Sequence, residues 1–325
     1  MPSTTFSPDS LPDLTGRVYL VTGGNAGIGK STVVALASHG AKVYMGARSE
    51  AKATTTITEI KAQLPSAQIL FLPLDLSSFK SVVSAARKLS NDESSLHGVI
   101  NNAGIMGVPF ALTEDGYEIQ FQTNYLSHWL LTFHLLPLLQ STAAKSPKDM
   151  VRIVNVTSDG HVKFPPKGGI DFGNPSLEKE SAMTRYGQSK LANILHAKQL
   201  HAIYGPTQKG DGASQGTICT AAVHPGHIDT NLNKQATGAA PGSVLRAITP
   251  VMRCLGILDD QEKGAWSSLF AVASPQFGSK DSGAYIIPYA KIGTPSSLAQ
   301  NTELAKQLWD WTKNELGNKG FLELQ

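Results

Sequence analysis

The sequence is poor in cysteine and in charged side chains. Two cysteines, Cys219 and Cys254, stand among 325 residues, and they do not form a CxxC pair. A disulfide framework and a zinc ribbon are therefore excluded, and we predict two buried thiols in a reducing, cytoplasmic compartment. Charged residues make up 16% of the chain, against about 25% in an average domain. This deficit predicts a large interior with few solvated helix faces.

No run of Lys or Arg concentrates the formal charge of +3, which argues against nucleic-acid binding. Residues 1–14 lack the basic and apolar regions of a signal peptide, and their Ser and Pro content predicts a disordered lead-in. The longest apolar helical segment, 125–140, contains two His and Pro137, so it is too short and too interrupted to span a bilayer. We expect residues 15–325 to fold as a single domain without a transmembrane segment.

Apolar segments of strand length alternate with segments of helical periodicity along the chain. Seven of them predict strands, at 17–23, 42–48, 68–76, 97–104, 150–158, 217–226 and 283–289. They are apolar throughout, which is typical of parallel strands covered on both faces. The alternation predicts an α/β fold, a Rossmann-type doubly wound seven-stranded parallel sheet with helices on both faces. Ligands bind such sheets at the carboxyl ends of the strands.

The turn after the first strand has the glycine-rich sequence TGGNAGIGK. Gly23, Gly27 and Gly29 are spaced GxxxGxG between a strand and a helix, the context of a dinucleotide-binding turn. Gly23 permits the tight turn, Gly27 lets the backbone approach the pyrophosphate, and Gly29 lets the helix pack on the strand. The helix N-terminus supplies unpaired N–H groups for the anion. Asn25 and Ile28, in the same turn, are further candidate cofactor contacts.

The end of the second strand predicts which nicotinamide cofactor binds. Enzymes that prefer NAD place an acidic residue there to bind the ribose 2′-hydroxyl. This chain has Ala47 followed by Arg48, and a guanidinium pairs with a 2′-phosphate. We predict NADP(H); the alternative is a surface Arg48 without a ligand.

Tyr186 and Lys190 stand four positions apart in a segment with helical periodicity, so their side chains share one face. No other tyrosine of the eight has Lys at this spacing. A phenol has an ordinary pKa of about 10, which must fall for acid–base work near pH 7. A neighbouring ammonium and an oxidised nicotinamide both favour phenolate.

Five motifs follow one another along the chain: TGxxxGxG, NNAG at 101–104, NVTS at 155–158, YxxxK and HPG at 224–226. In this order they resemble the short-chain dehydrogenase/reductase family, over roughly residues 14–290. The segments RIVNVTSDGH, YGQSKLANIL and AVHPGHIDTNL are most similar to its retinol-dehydrogenase-like branch. The ending, EKGAWSSLFAVASP followed by GAYIIPYAKIGTP, resembles the fungal-type reductases of that branch.

The resemblance implies a role for each matching residue. Ser158 corresponds to the serine that hydrogen-bonds the substrate carbonyl, and Tyr186 corresponds to the proton donor or acceptor. Lys190 corresponds to the residue that binds the nicotinamide ribose and lowers the tyrosine pKa, and Asn124 to the asparagine that holds a water relay. The other matches imply cofactor contacts: Asp75, Leu76, Asn102, Ala103, Gly104, Pro225, Gly226, Ile228 and Thr230. The implied reaction is metal-free hydride transfer between NADP(H) and a carbonyl or alcohol.

Two segments are candidates for shaping the substrate site. The segment between Ser158 and Tyr186 is longer than in compact members of the family, and we expect an excursion at the mouth of the site. His161 within it is predicted to cap or line the rim, with a catalytic role as the alternative. Residues 229–262 contain an apolar stretch that predicts a lid; a packing helix and a peripheral membrane contact are the alternatives. Because both segments are largely apolar, we predict a lipophilic ketone, aldehyde or alcohol as the substrate.

Three other functions remain open from the sequence. Residues 212–216 spell GxSxG, but a hydrolase elbow needs a strand before the serine and a helix after it, and here a polar loop precedes and a strand follows. A non-catalytic dinucleotide sensor would use the same fold without turnover. An epimerase or dehydratase would also bind a nicotinamide, although such enzymes usually space the glycines GxxGxxG.

Overall fold

The computed structural model describes residues 6–206, 216–228 and 260–323. Within them, eight strands form one sheet in the order β3-β2-β1-β4-β5-β6-β7-β8. The strands are β1 (Val18–Thr22), β2 (Lys42–Ala47), β3 (Gln68–Pro73), β4 (Gly98–Asn101), β5 (Arg152–Val156), β6 (Cys219–Val223), β7 (Ala284–Ile287) and β8 (Lys291–Gly293).

Strands β1 to β7 pair in parallel, which confirms the seven predicted strands and the doubly wound α/β sheet. The eighth strand, β8, was not predicted; it pairs antiparallel to β7 with Ile286 opposite Ile292. The turn between them uses Tyr289 and Ala290 at positive φ values of 63° and 60°. Hairpin rules expect Gly or Asn at such positions, so this turn carried no recognisable signal.

Helices cover both faces of the sheet. They are α1 (Gly27–Ser38), α2 (Glu50–Gln63), α3 (Phe79–Asp92), α4 (Ile119–Phe121), α5 (Ser127–Lys145), α6 (Gly160–Lys163), α7 (Ala182–Tyr204), α8 (Gln261–Ala273), α9 (Ser297–Gln300) and α10 (Thr302–Asn318). A π-helical turn, Gln122–Leu126, joins α4 to α5. Side-chain hydroxyls cap several N-termini, among them that of Ser181, which accepts the Thr184 N–H at the start of α7.

The sheet separates two hydrophobic cores, and the side chains of strand β1 contribute to both. Val18 and Leu20 face the core formed with α3, α5, α7 and α10, whereas Tyr19 and Val21 face the core formed with α1, α2 and α8. Successive side chains of a strand point to opposite faces, so a strand buried on both sides must be apolar throughout. The edge strand β3 departs from this rule, since Leu70 is 39% exposed.

Residues 6–14 correct the prediction of a disordered lead-in at 1–14. Phe6 is buried and packs edge-to-face on Phe270 of α8, with ring centroids 5.5 Å apart. Leu11 and Leu14 are buried as well, and the Leu14 N–H donates to the His39 carbonyl over 2.7 Å. The Ser and Pro content of the segment concealed three apolar anchors, whose burial outweighs the entropy of ordering the chain.

The predicted lid, 229–262, lies outside the described residues except for its last three positions. There Asp260 accepts the Lys263 N–H over 2.8 Å and caps α8.

In the described part of the chain, no helix combines the length and the apolar character needed to cross a membrane.

Candidate active site

The predicted site residues meet at the carboxyl ends of the central strands. Gly23 follows β1, Asn102 follows β4, Ser158 follows β5, and Pro225 follows β6. In a doubly wound sheet this edge, where the strand order reverses between β1 and β4, is the place where ligands bind.

The glycine turn fits a group that needs close backbone approach. Gly23 and Gly27 have positive φ values of 65° and 55°, which favour glycine. A Cβ at Gly29 would lie 2.3 Å from the Gly23 carbonyl oxygen and 2.7 Å from Asn102 Nδ2. The start of α1 therefore packs directly on the turn, and the N–H groups of its first turn are candidates to bind a pyrophosphate.

The predicted contacts at the adenosine side are spread over two strand ends. Arg48 follows β2 directly and is exposed. The Asp75 carboxylate accepts the Ser77 N–H and hydroxyl over 2.9 Å and 2.6 Å, which shapes the turn after β3. Leu76 next to it is buried, and the Asn25 carbonyl accepts the Thr56 hydroxyl over 3.2 Å.

The remaining cofactor candidates lie near the start of α8. A Cβ at Gly264 would lie 2.9 Å from both Ile28 Cγ1 and Ile228 Cγ1, so the glycine turn and the loop after β6 meet on this helix. Gly226 in that loop has a positive φ of 101°. Thr230, the last predicted contact, lies outside the described residues.

Ser158 and Tyr186 face one another across Gly160. A Cβ at Gly160 would lie 3.0 Å from Tyr186 Cε1 and 3.5 Å from Ser158 Oγ. The Ser158 hydroxyl accepts the Gly160 N–H over 3.1 Å and donates to Asp159 Oδ1 over 3.1 Å. Tyr186 is only 4% exposed. The predicted serine and tyrosine are therefore close enough to act on one substrate oxygen.

Burial controls the ionisation of the Tyr186–Lys190 pair. Lys190 Nζ lies 5.7 Å from the Tyr186 ring centre and donates to the Val156 carbonyl over 3.2 Å. Burial raises the pKa of Tyr186 to about 12, against a smaller opposing effect of Ser158, and it lowers the pKa of Lys190 to about 8. The first shift is opposite to the predicted lowering, because desolvation penalises the phenolate. Tyr186 is a neutral phenol at pH 7.

Asn124 joins the loop after β4 to helix α7. Its Oδ1 accepts the Ile105 N–H over 2.8 Å, and its Nδ2 donates to the Ile105 carbonyl and to Ser189 Oγ, each over 2.9 Å. A Cβ at Gly104 would touch both Asn124 Oδ1 and Lys190 Nζ, at 3.2 Å and 3.3 Å. The asparagine and the lysine therefore border the same small space.

Thr22, which was not among the predicted site residues, holds the loop after β4. Its hydroxyl accepts the N–H groups of Asn102 and Ala103, each over 2.9 Å, and its carbonyl accepts Asn102 Nδ2 over 2.8 Å. The available signal was its position, since Thr22 directly precedes Gly23.

Arg185, the residue that precedes Tyr186, forms a buried ion pair with Glu118. Arg185 Nε lies 3.3 Å from Glu118 Oε1, with side-chain exposures of 5% and 0%. Arg185 also donates to the Glu180 carbonyl over 2.5 Å, which fastens the end of the insertion to α7. No sequence signal could reveal this pair, because 67 positions separate its members along the chain.

The insertion between Ser158 and Tyr186, which we predicted to be an excursion at the mouth of the site, contains residues that are buried in the domain. It begins with α6, and Ile170 and Leu177 within it are buried. His161 Nδ1 donates to the Ser158 carbonyl over 2.6 Å, and its Nε2 accepts the Ser296 N–H over 3.2 Å. Both ring nitrogens bind the backbone, which favours the capping role of His161 over the catalytic alternative.

In the three described stretches, no group of three or more His, Cys, Asp or Glu side chains is placed to hold a metal ion. Strand β6, rather than a helix, follows the GxSxG string at 212–216, which disfavours a hydrolase elbow.

Comparisons with known proteins show which family the chain resembles. Residues 17–169 match the family model described as short chain dehydrogenase. A short-chain dehydrogenase/reductase of Aspergillus calidoustus, drtF, is 52% identical over 97% of this chain and 98% of its own length. An uncharacterized oxidoreductase of Schizosaccharomyces pombe is 40% identical over 90% of this chain and 82% of its own length. A crystal structure of an uncharacterized protein from Mycobacterium paratuberculosis superposes with a TM-score of 0.70 at 28% identity, covering 97% of this chain and 98% of that one.

The chain belongs to the short-chain dehydrogenase/reductase family and is of the fungal type. It is therefore an oxidoreductase of a family that acts on small molecules with a nicotinamide cofactor. The more specific resemblance to the retinol-dehydrogenase-like branch stays a prediction.

Proposed function

We propose that this chain is an NADP(H)-dependent oxidoreductase that interconverts a carbonyl and an alcohol on a lipophilic small molecule, with Tyr186 as general acid or base. The observation that carries the proposal is the convergence of Ser158, Tyr186 and Lys190. A serine hydroxyl, a neutral phenol and an amine meet at the carboxyl end of β5, beside the glycine turn.

The residues present can divide the work of carbonyl reduction. A bound reduced nicotinamide would supply the hydride, with the glycine turn, Asn102, Ala103 and Gly104 as its candidate holders. Tyr186 donates its phenolic proton to the developing alkoxide, and Ser158 donates a hydrogen bond to the same oxygen. Lys190, protonated below its pKa of about 8, stabilises the phenolate that remains. For Ser158 to reach the substrate, its hydroxyl must leave Asp159.

The preference for NADP(H) rests on Arg48. It is exposed at the end of β2, where the ribose 2′-position is expected, and no carboxylate stands at 47 or 48. The guanidinium can pair with a 2′-phosphate through two parallel hydrogen bonds.

Replacing Arg48 by alanine should therefore weaken NADPH binding about tenfold, a loss of about 1.4 kcal/mol, and leave NADH binding within twofold. Isothermal titration with both cofactors measures this difference. Lys61→Ala, an exposed cation in the last turn of α2, is the matched control and should change neither affinity. Equal losses for both cofactors on changing Arg48 would contradict the assignment.

Exposed apolar side chains near Tyr186 support a lipophilic substrate. Val162 and Phe164 belong to or follow α6 and are 59% and 36% exposed. The backbone of Phe164 lies 2.7 Å from the position of a Cβ at Gly187, next to Tyr186 in the chain.

We also propose a cytoplasmic location for this protein, because Cys219 is a buried free thiol.

A panel of aldehydes and ketones with purified protein and NADPH, followed by absorbance at 340 nm, tests the proposed reaction. We expect cofactor oxidation with apolar substrates and little with small polar ones. Tight NADPH binding together with no turnover across the panel would favour the dinucleotide sensor instead.

A further inference from the structure

The loop that carries Gly104 is held at both ends. At one end, the Thr22 hydroxyl accepts the N–H groups of Asn102 and Ala103. At the other end, the Asn124 side chain binds both the N–H and the carbonyl of Ile105. Gly104, a candidate nicotinamide contact, lies between these two attachments.

His128 connects the two attachments to one another. Its Nε2 lies 2.8 Å from Thr22 Oγ1, and its Nδ1 lies 3.0 Å from the Asn124 carbonyl oxygen. The side chain is 1% exposed. Thr22, the loop, Asn124 and His128 therefore close a ring of hydrogen bonds between β1, β4 and the long helix that contains α5.

The chemistry of these atoms fixes the tautomer of His128. The two lone pairs of Thr22 Oγ1 already accept two N–H groups, so Thr22 must donate its own proton. His128 Nε2 at 2.8 Å is the nearer acceptor, since the Ile100 carbonyl oxygen lies 3.4 Å away. The Asn124 carbonyl can only accept, so His128 Nδ1 carries the hydrogen. Burial lowers the pKa of His128 to about 4, so the imidazole is neutral near pH 7. Thr22 therefore donates to His128, and His128 donates to the Asn124 carbonyl, so each of these hydrogen bonds has one donor and one acceptor.

The local helix geometry explains why Asn124 needs this partner. Asn124 lies in the π-helical turn Gln122–Leu126, where the regular α-helical hydrogen-bond pattern is interrupted. His128 lies one turn further on and binds the carbonyl of Asn124 from its side chain. The imidazole thereby sets the position of Asn124, which in turn contacts Ser189, the residue that donates to the Tyr186 carbonyl over 2.7 Å.

We propose that His128 is a positioning residue, which fixes the cofactor loop and Asn124 relative to each other through a neutral imidazole protonated at Nδ1. This inference rests on the proposed function for its kinetic consequences, but the tautomer and the effect on cofactor binding are independent of turnover.

Three variants test the role of His128. His128→Phe keeps a planar ring and removes both hydrogen bonds, whereas His128→Asn keeps a donor near the Nδ1 position and loses the partner of Thr22. His134→Phe is the matched control: it lies on the same helix, is buried, and binds the Phe321 carbonyl over 2.7 Å, away from the loop. For each variant, the NADPH dissociation constant, kcat, KM and thermal unfolding midpoint are measured.

We expect His128→Phe to weaken NADPH binding at least tenfold and to reduce kcat at least tenfold, with a smaller change in KM for the carbonyl substrate. His128→Asn should recover part of both losses. His134→Phe should lower the unfolding midpoint while NADPH affinity and kcat stay within twofold. The inference is overturned if His128→Phe also stays within twofold, or if His134→Phe loses as much affinity and kcat as His128→Phe.

The imidazole ¹⁵N spectrum of the wild-type protein tests the same inference without a measurement of turnover. Assigned by comparison with His128→Asn, the His128 signals should show a protonated Nδ1 and an unprotonated Nε2 between pH 5.5 and 8. A proton on Nε2, or titration of His128 within this range, would overturn the inference. A wild-type protein that binds NADPH with this tautomer but reduces no carbonyl would contradict the proposed function alone.

Discussion

Replacing Tyr186 by phenylalanine is expected to reduce kcat by about 10²–10⁴-fold, the usual contribution of a positioned general acid. The ring that packs against Gly160 remains, and only the phenolic hydroxyl is lost. NADPH affinity should therefore stay within about twofold of the wild-type value. Single-turnover kinetics together with isothermal titration separate the two effects.

Tyr204→Phe is the matched control for this prediction. It makes the same change at the end of the same helix, α7, where Tyr204 is half-buried and far along the chain from Ser158. Its kcat should be unchanged. A Tyr186→Phe enzyme that retains more than about a tenth of the wild-type kcat would refute the role of the phenol as proton donor.

The pH dependence of reduction follows from the same pair. With the pKa of Tyr186 raised to about 12 by burial and that of Lys190 lowered to about 8, the phenol is protonated and the amine is charged near pH 7. Both are the forms that carbonyl reduction requires. As the pH rises through about 8, Lys190 loses its charge, so kcat for reduction should fall on the alkaline side.

Replacing Gly29 by alanine is expected to abolish measurable cofactor binding. The added Cβ would lie 2.3 Å from the Gly23 carbonyl oxygen and 2.9 Å from its carbon, and this backbone cannot move aside as a flexible side chain would. The start of α1 must shift away from the glycine turn, which withdraws the N–H groups that bind the pyrophosphate. Overpacking of this kind also lowers the free energy of unfolding by about 1–3 kcal/mol.

Gly168→Ala provides the control for the glycine prediction. Gly168 lies in the insertion, and a Cβ there would meet no atom within 4 Å. Titration with NADPH and denaturant unfolding should show no change for this variant. If Gly29→Ala binds NADPH within threefold of the wild type, the turn is not the pyrophosphate site.

The fold was predictable where the sequence carried its own periodicity. The seven parallel strands are mostly apolar, with the edge strand β3 partly exposed, and this pattern is readable without tertiary information. The strand β8 and the packed Phe6 were not predictable in this way. The first depends on a turn with Tyr289 and Ala290 at positive φ, and the second on a place beside Phe270 that exists only in the folded chain.

The candidate site was predictable residue by residue but not as a network. Ser158, Tyr186 and Lys190 follow from motif order, and the structure brings them together. The contact between Thr22 and His128 joins residues that are 106 positions apart in the sequence, so no local sequence pattern predicts their roles. The pKa of Tyr186 was also beyond sequence reasoning, because its direction depends on how deeply the folded chain buries the phenol.

The central claim is that Tyr186 protonates a carbonyl oxygen in a nicotinamide-dependent reduction. Its most direct test is deuterium transfer from [4,4-²H₂]NADPH to the carbonyl carbon of an accepted substrate, measured by mass spectrometry for wild type and Tyr186→Phe side by side. We predict one deuterium per product molecule from the wild type and none above background from the variant over the same time. Equal deuterium incorporation by both proteins, or a wild type that binds neither NADPH nor NADH, would contradict this account.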